Sequence, residues 1–535
     1  MNKFVYLFLF VALLSGALNA LGTAYYVTPN TVDNYNPVEC GLSSNSPCLS
    51  ILDAVYSFLN ETSTTNTTNL PFVINLLPGT YLATNQSYGI HNTINPTGLD
   101  MTIQSWDPTT NAIANTPVRF NGKYYIETSL FNGNKVNRTG PIDVTTLTFN
   151  NIAFENFSTS VVQMSGSGTI KVNINNCNFT TLDMILPTFW MISNTKSSSQ
   201  MTISNCYFTN NQGSLISTFN TNLNIQNSTF SLNQGDDLIS IQNSNLNVTN
   251  TILDSNKLSG SYYVLKAQNS KVNMYNNQIT NNTGASGIIY LLGSQSQINN
   301  TRFVGNNPTL ANYGPLFLYQ SYSYINNCVF TQNSGTYGGG LYSSISSVQI
   351  TSSNFTNNFG TTGSQIYQYG SSIRIINSSV YSSTNQVRPN SIVYLSSTKA
   401  IFTNSSFSVG TTVMTNSGFT LFGCSSSSVY YTSKDTVVIN NGYPTIYCSG
   451  CSTYVTDGST NNSSSLIYCK KSESSSSDNS HSRPEPIRSV MRKVLISLII
   501  FFSVVLLIAV LIIITCLVKQ RRHHHSQGYT PLSQS

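Results

Sequence analysis

The sequence predicts an all-β solenoid in which each repeat forms one coil and successive coils stack as parallel strands. The first observation is a period of about 25 residues, marked by hexapeptides such as INNCNF, ending at Phe179, and INNCVF, ending at Phe330. The second is another apolar block with the same step, such as LIS at 215 and IIY at 288. The third is residue type: the repeats are β-branched and aromatic, rich in Asn, Ser and Gly, and alternate at period 2.

Each period holds two short strand-like runs joined by turn residues such as NQG, NNTG and NSG. We expect the aligned apolar side chain of each hexapeptide to point into its coil, with Asn326 or Asn327 turning the chain and Gly339 and Gly340 forming a corner. Truncation of Phe330 should therefore cost far more than truncation of Asn333. The aligned positions are Phe154, Phe179, Phe208, Phe230, Leu253, Ile279, Phe303, Phe330, Phe355, Val380 and Phe407.

The two ends of the chain predict secretion and a membrane anchor. Residues 1–20 combine a lysine, an apolar run and small residues, which is the pattern of a cleaved signal peptide. Residues 494–518 are apolar, uncharged and long enough to cross a bilayer, and a basic cluster follows at 519–522. We therefore expect a single-pass type I protein in the plasma membrane with its ectodomain outside. An endolysosomal membrane is the alternative location.

Composition shifts divide the chain further. The predicted segments are a signal peptide (1–20), an N-terminal cap with the first coils (21–149), the parallel repeats (150–415), a cysteine-rich C-terminal cap (416–469), a serine-rich stalk (470–493), a transmembrane helix (494–518) and a cytoplasmic tail (519–535). The tail sequence from Tyr529 to Leu532 resembles the Y-x-x-Φ sorting signal read by clathrin adaptors, so an adaptor is a candidate partner there. Most of the basic excess lies near the C-terminus, which excludes a nucleic-acid footprint on the ectodomain.

Several periods share an F-x-x-N motif, and Gly339-Gly340-Leu341 fits G-G-[A/I/L/V]. This pair resembles the repeat of polymorphic membrane proteins. From about Tyr25 to Phe407 the chain is similar to the pectin-lyase-like superfamily, and the resemblance implies a right-handed parallel β-helix with a capping helix near residues 49–59. That fold hosts lyases, hydrolases, adhesins and toxins, so it implies no single function. The F-x-x-N pairs are Phe208 with Asn211, Phe230 with Asn233, Phe303 with Asn306, Phe330 with Asn333 and Phe355 with Asn358.

Asp236 and Asp237 are the strongest catalytic candidates because their segment looks like the paired-aspartate segment of polygalacturonases. That family also requires a third aspartate, a histidine and a basic pair, which have no match here. Two adjacent carboxylates are too few for a Ca²⁺ site, and neighbouring strand residues face opposite ways. We expect both aspartates to decorate a turn, with no catalytic residue, metal or cofactor. The alternative is a membrane-tethered polysaccharide-cleaving hydrolase or lyase.

Cysteine usage predicts a structural role in an oxidising compartment. A disulfide between Cys40 and Cys48 would close the loop of the N-terminal cap. Cys448 and Cys451 could also form a redox C-x-x-C or half a metal site, and Cys177 and Cys206 could pair. Four cysteines after the last clear coil suggest two disulfides of open connectivity, namely Cys424, Cys448, Cys451 and Cys469. Three others are expected as buried thiols within a ladder of small side chains, namely Cys177, Cys206 and Cys328.

The predicted function is recognition or adhesion by a glycosylated cell-surface protein. The extracellular ligand would be a glycan or a protein on a neighbouring cell, bound by the Tyr- and Asn-rich lateral face of the rod. Glycans on N-x-[S/T] sites would keep a chain with only 8% charged residues soluble. The candidate sites are Asn60, Asn66, Asn85, Asn137, Asn156, Asn178, Asn227, Asn247, Asn281, Asn299, Asn354, Asn377, Asn404, Asn461 and Asn462.

Overall fold

A computed structural model shows the chain winding into a parallel β-solenoid. Among its described residues no helix is long and apolar enough to cross a membrane. The predicted span, signal peptide and tail, and all of the predicted stalk except Lys470, lie outside the described residues. The described residues are 23–30, 40–65, 71–82, 98–122, 129–134, 144–166, 168–193, 199–284, 286–308, 313–383, 390–410, 420–439, 446–447, 451–456 and 469–470.

Each full coil contains three strands, which we name face 1, face 2 and face 3 in chain order. Face 1 comprises Ser129–Asn134, Ser160–Gly166, Phe189–Ser193, Ile216–Phe219, Ile239–Gln242, Leu265–Gln268, Ile289–Leu292, Leu316–Tyr319, Ser391–Ser396, Thr420–Ser425, Ile446–Tyr447 and Cys469–Lys470. Face 2 comprises Thr23–Val27, Pro71–Leu76, Asp100–Asp107, Val144–Asn150, Thr169–Asn175, Gln200–Ser204, Asn222–Gln226, Asn245–Thr249, Lys271–Tyr275, Gln295–Asn299, Tyr322–Asn326, Lys399–Thr403, Ser427–Tyr431 and Cys451–Val455. Two long strands, Leu341–Thr351 and Ile366–Ile376, run through both faces.

Within the described residues, face 3 is a separate sheet of 14 short strands. They are Thr80–Leu82, Val118–Asn121, Ile152–Glu155, Asn178–Thr180, Tyr207–Thr209, Thr229–Ser231, Ile252–Asp254, Gln278–Thr280, Arg302–Val304, Val329–Thr331, Asn354–Thr356, Ser379–Ser382, Ser406–Val409 and Thr436–Ile439. The remaining strands are Ala112–Ile113, which pairs antiparallel with Asp100–Asp107, and the two-stranded sheet of Gln234–Gly235 and Lys257–Leu258.

The three-strand coil corrects the expectation of two runs per period. A hexapeptide such as INNCNF contains the end of a face 2 strand, a corner and a face 3 strand. Asn176 stands at that corner with a φ of 54°, in the left-handed region that asparagine tolerates better than most residues, and Asn327 repeats it with a φ of 51°. Asn327 also donates from Nδ2 to Oδ1 of Asn300 in the preceding coil at 2.7 Å, as its turn-forming role predicts. One residue therefore splits what looks like a continuous strand.

The predicted apolar column fills the interior beneath face 3. All eleven aligned side chains are buried, and neighbours in the column are register partners in adjacent strands. Phe330 stacks between Phe303 and Phe355 with ring centroids 4.5 and 4.4 Å apart. The approach of the coils also explains Gly340, where a Cβ would stand 2.8 Å from the carbonyl oxygen of Gln365.

The N-terminal end is capped by the helix Ile51–Thr65, which begins two residues later and extends further than predicted. The hydroxyl of Ser50 accepts the N–H of Asp53 at 3.0 Å and so caps the helix. Phe58 stacks on Phe72 in the face 2 strand Pro71–Leu76, with ring centroids 4.1 Å apart, and so covers the N-terminal end of the core. A disulfide joins Cys40 to Cys48 in the cap loop, as predicted.

The other predicted cysteines behave in two ways. Cys424 and Cys451 form a disulfide with Cα atoms 5.5 Å apart, whereas Cys448 and the side chain of Cys469 lie outside the described part. Cys177, Cys206 and Cys328 are buried and unbridged. Their thiols stand in a ladder with serine hydroxyls: the N–H of Cys328 donates to the hydroxyl of Ser353 at 3.1 Å. Burial raises the pKa of the Cys328 thiol to about 11.

Candidate recognition surface

A column of aromatic side chains runs along the outside of face 1. Its members are register partners in five successive strands, namely Tyr290, Phe317, Tyr342, Tyr367 and Tyr394. Because strand side chains alternate, these rings point away from the core while Ile289 and Leu341 point into it. Successive ring centroids are 4.7, 5.1, 5.1 and 4.9 Å apart. Four steps at the strand spacing of ~4.8 Å give a length of about 19 Å.

Three tyrosines from the connections between face 3 and the next face 1 widen this column. Tyr263 stacks on Tyr290 at 4.8 Å, Tyr313 contacts Phe317 at 4.3 Å, and Tyr337 meets Tyr367 at 5.3 Å. We call the eight rings the aromatic strip. Every ring contacts at least one other, so the strip is continuous over its length.

An internal ladder of asparagines holds these connections in place. Its members are Asn211, Asn233, Asn256, Asn282, Asn306, Asn333 and Asn358, all buried. Asn333 donates from Nδ2 to the carbonyl of Phe303 at 2.8 Å and to Oδ1 of Asn358 at 2.9 Å. Its Oδ1 accepts the backbone and side-chain N–H groups of Asn306 at 3.1 and 2.9 Å. All four hydrogen-bonding positions of the amide are thus occupied.

This ladder is longer than the F-x-x-N motif indicates. Asn256 and Asn282 continue it although Leu253 and Ile279 replace the phenylalanine three residues before them. The ladder ends at Gln365, whose Oε1 accepts the amide of Asn358 at 2.7 Å. The sequence pattern that would have found these members is an asparagine three residues after any buried apolar residue, rather than after phenylalanine alone.

Most rings of the strip are half-buried, whereas Tyr263 and Phe317 are each only 8% exposed. Burial raises the pKa of Tyr342 to about 12 and also raises the pKa values of Tyr290 and Tyr394. The phenols therefore stay protonated at neutral pH, and each can both donate and accept a hydrogen bond. The strip offers apolar ring faces with polar rims.

The strip is electrically neutral between its two ends. The outward side chains of face 1 from Tyr290 to Ser396, and the described parts of the connections beside them, carry no charge. At one end Lys266 precedes Tyr290 in register, and at the other Gly423 follows Tyr394. A Cβ at Gly423 would stand 2.6 Å from the ring of Tyr394, so the glycine leaves room for the last ring.

The two aspartates singled out in the sequence lie beside the first ring of the strip. Asp236 is exposed and Asp237 is buried, as expected for neighbours that point in opposite directions. Asp237 Oδ1 accepts the N–H of Tyr263 at 2.8 Å, and its Oδ2 pairs with the ammonium of Lys266 at 2.9 Å. Within the described residues no group of three or more His, Cys, Asp or Glu could hold a metal ion. The geometry gives Asp237 a positioning role for the Tyr263 connection.

Face 2 presents a different surface, made of amides. Asn247 bridges Asn224 and Asn273 through side-chain hydrogen bonds of 2.7 and 2.8 Å, which forms an external ladder across three coils. Further along, Lys271, Tyr322 and Tyr324 line a shallow cavity of about 210 Å³ together with Gln295 and Gln297. Face 2 is thus the Asn-rich side of the rod, whereas face 1 carries the continuous aromatic strip.

The glycosylation candidates fall on the remaining surface. Asn66, Asn85, Asn137, Asn461 and Asn462 lie outside the described residues, as do Tyr529 and Leu532 of the sorting-signal candidate. The described candidates are all exposed or half-buried, and they are Asn60, Asn156, Asn178, Asn227, Asn247, Asn281, Asn299, Asn354, Asn377 and Asn404. The structure places none of these ten on face 1.

Comparisons with known proteins agree with the fold. Residues 142–306 match the family model described as the right handed beta helix region. No curated protein matches the chain. The matched segment covers the middle coils, and it supports the right-handed β-helix part of the resemblance noted in the sequence.

The solved structures that match the chain include two enzymes and a bacteriophage protein. The A-module of a mannuronan C-5 epimerase from Azotobacter vinelandii is 8% identical, with coverage of 75% of this chain and 95% of that one and a TM-score of 0.30. Tailspike protein 3 of bacteriophage CBA120 is 10% identical, with coverage of 83% and 69% and a TM-score of 0.30. A DFA-IIIase from Arthrobacter chlorophenolicus is 10% identical, with coverage of 76% and 94% and a TM-score of 0.33. Identities and TM-scores this low carry no functional information.

Proposed function

We propose that this protein is a recognition or adhesion protein that binds an elongated, uncharged glycan along the aromatic strip. The observation that carries the proposal is the unbroken contact of eight aromatic rings on the outside of face 1. Contiguous apolar patches at a protein surface mark interaction sites or ligand-binding grooves. Tyrosine is also enriched among the residues that dominate binding energy at interfaces.

The chemistry of the strip suits a sugar chain. The face of an aromatic ring carries partial negative charge, and the C–H groups on one side of a sugar ring are polarised positively by the neighbouring oxygens. Stacking therefore gives both apolar burial and electrostatic attraction. The phenolic hydroxyls at the ring edges can meet the sugar hydroxyls. The described outward side chains of face 1 between Tyr290 and Ser396 carry no charge, so none of them compensates the charge of an acidic sugar.

The predicted topology gives this surface its setting. A signal peptide at 1–20 and a span at 494–518 would display the solenoid outside the cell on the stalk at 470–493. The plasma membrane is the proposed location, with an endolysosomal membrane as the alternative. In both settings the ligand is extracellular or luminal, and a clathrin adaptor would meet only the tail at Tyr529 and Leu532.

Cleavage of a polysaccharide is the competing function. It would use Asp236 and Asp237, but the carboxylate of Asp237 is engaged by Lys266 and by the N–H of Tyr263. Asp236 points away from it into solvent. A screen of the full chain for released reducing ends or unsaturated sugars tests this function, and activity that Asp237→Asn abolishes would establish it.

A glycan array probed with the detergent-solubilised full chain tests recognition. We expect binding to neutral oligosaccharides, with at least a tenfold loss of affinity in Tyr367→Ala because Tyr367 lies in the middle of the strip. Tyr322→Ala is the matched control, since Tyr322 is an exposed tyrosine on face 2. Equal losses in the two variants, or retained binding in Tyr367→Ala, would remove the strip from the proposal.

A further inference from the structure

Two exposed tyrosines each stand beside a glycosylation candidate in the neighbouring coil. Tyr207 on face 3 is 54% exposed, and its register partner is Asn178. Tyr275 on face 2 is 52% exposed, and its register partner is Asn299. Register partners in adjacent strands lie about 4.8 Å apart, so the first sugars of a glycan on either asparagine would reach the adjacent ring.

Asparagines that belong to an N-x-[S/T] triplet and asparagines that do not occupy different positions around the coil. Nine described asparagines are buried, and none has Ser or Thr two residues later, namely Asn75, Asn211, Asn233, Asn256, Asn277, Asn282, Asn306, Asn333 and Asn358. The ten described N-x-[S/T] asparagines are instead exposed or half-buried, on faces 2 and 3, their shared corner, the turns after face 3 and the helix. The acceptor triplets therefore coincide with positions where a glycan fits outside the coil.

We propose that Asn178 and Asn299 carry N-linked glycans that cover the rings of Tyr207 and Tyr275, and that glycosylation leaves face 1 bare. The modification joins the amide nitrogen of asparagine to the anomeric carbon of a lipid-diphosphate-linked oligosaccharide. The bond from that carbon to the diphosphate oxygen breaks, and the amide gives up one proton. The proposal rests on the predicted secretion of the chain, but it does not depend on what the aromatic strip binds.

This arrangement gives the sides of the rod different surfaces. On faces 2 and 3 the covalent sugars shield isolated apolar rings from contact with other molecules. On face 1 no described acceptor triplet interrupts the aromatic strip, so its rings stay open to a ligand from solution.

The test combines glycan mapping with hydroxyl-radical footprinting of the full chain from secretion-competent cells. We expect mass spectrometry to find glycans on Asn178 and Asn299. Asn178→Gln should raise the reactivity of Tyr207 severalfold and leave Tyr275 unchanged, and Asn299→Gln should do the reverse. Tyr369, which is 44% exposed on face 1, is the internal control and should react equally in all samples.

Enzymatic removal of the glycans from the folded wild-type chain gives the same comparison if either variant fails to fold. It should expose Tyr207 and Tyr275 together without changing Tyr369. Unmodified Asn178 and Asn299, or unchanged tyrosine reactivity after their glycans are lost, would overturn the proposal. Neither readout involves a ligand, so failure here is distinct from failure of the recognition function.

A variant that gains a glycosylation triplet on face 1 tests whether a glycan there would cover the aromatic strip. Tyr394→Asn creates an acceptor triplet with Ser396 on face 1. We expect its glycan to lower the reactivity of Tyr367 relative to the double variant Tyr394→Asn with Ser396→Ala, which lacks the same ring but has no triplet. Equal reactivity of Tyr367 in a glycosylated single variant and the double variant would show that a glycan on face 1 does not shield the strip.

Discussion

The phenylalanine column under face 3 and the aromatic strip on face 1 both stack rings along the solenoid, but they differ in how parallel neighbouring rings are. Both contain runs of aromatic rings at register positions of successive coils. The phenylalanine rings lie within 9° of parallel, and Phe303 and Phe330 are 6° apart. In the strip, the angle between rings ranges from 16° for Tyr367 and Tyr394 to 77° for Phe317 and Tyr342.

The difference reflects what surrounds each column. The buried rings are confined on every side, since core packing leaves few orientations for a planar side chain. The strip rings pack against the sheet, against one another and against the neighbouring connections, but most of them keep one side open to solvent, so their tilt varies from ring to ring. One repeat thus provides a fully buried column that contributes to stability and a partly exposed column that is open to contact. Substitutions in the two columns should separate stability from binding.

The largest expected effect comes from Phe330→Ala. The substitution removes a fully buried ring between Phe303 and Phe355 and leaves a cavity, which costs about 3 to 5 kcal/mol in free energy of unfolding. Chemical denaturation of the full chain in detergent measures the loss, and secreted yield should fall with it. Unchanged stability would mean that the column is not the structural core.

Asn333→Ala should cost on the order of 3 kcal/mol, because it leaves several buried polar partners in Phe303, Asn306 and Asn358 unsatisfied. This revises the expectation that Asn333 matters far less than Phe330. Asn327→Ala is the matched control, since its amide is exposed and makes one side-chain bond to Asn300. We expect about 1 kcal/mol for the control from lost left-handed preference. Equal midpoints for the two variants would contradict the internal ladder.

Tyr367→Ala should change stability by only about 1 kcal/mol while reducing ligand affinity at least tenfold. The ring is half-buried, so truncation exposes little core, but it interrupts the strip between Tyr342 and Tyr394. Denaturation and array binding measured on one preparation check both values. A stability loss as large as that of Phe330→Ala would assign the strip to the core.

Alkaline pH should weaken the fold through the strip. The pKa of Tyr342 is raised from 10.0 to about 12, so the folded state holds a proton that the unfolded state loses first. Stability from this group is therefore full below pH 10.0 and is lost as pH rises toward about 12. Chemical denaturation of wild type and Tyr342→Phe at several pH values across this range measures the loss of stability, and the variant should show the smaller loss. An identical decline in both would contradict the assignment.

Sequence reasoning found the phenylalanine column because phenylalanine recurs at one position and register follows directly from the period. It missed the third strand of the coil because a corner made by one left-handed residue, such as Asn176, cannot be distinguished in the sequence from the interior of a single strand. The strip was only partly foreseen as a Tyr-rich face, because its rings come from both strands and connections. The partner of Asp237 was hidden because Lys266 lies 29 residues away, one coil on.

Unfolding and neutral-glycan affinity, measured on the same preparations of Phe330→Ala and Tyr367→Ala, show whether the two columns separate stability from binding. We predict that the folded fraction of Phe330→Ala binds with wild-type affinity although its midpoint of denaturation falls, and that Tyr367→Ala shows a much smaller change of midpoint but loses affinity. Loss of affinity in folded Phe330→Ala, together with wild-type affinity in Tyr367→Ala, would contradict this prediction.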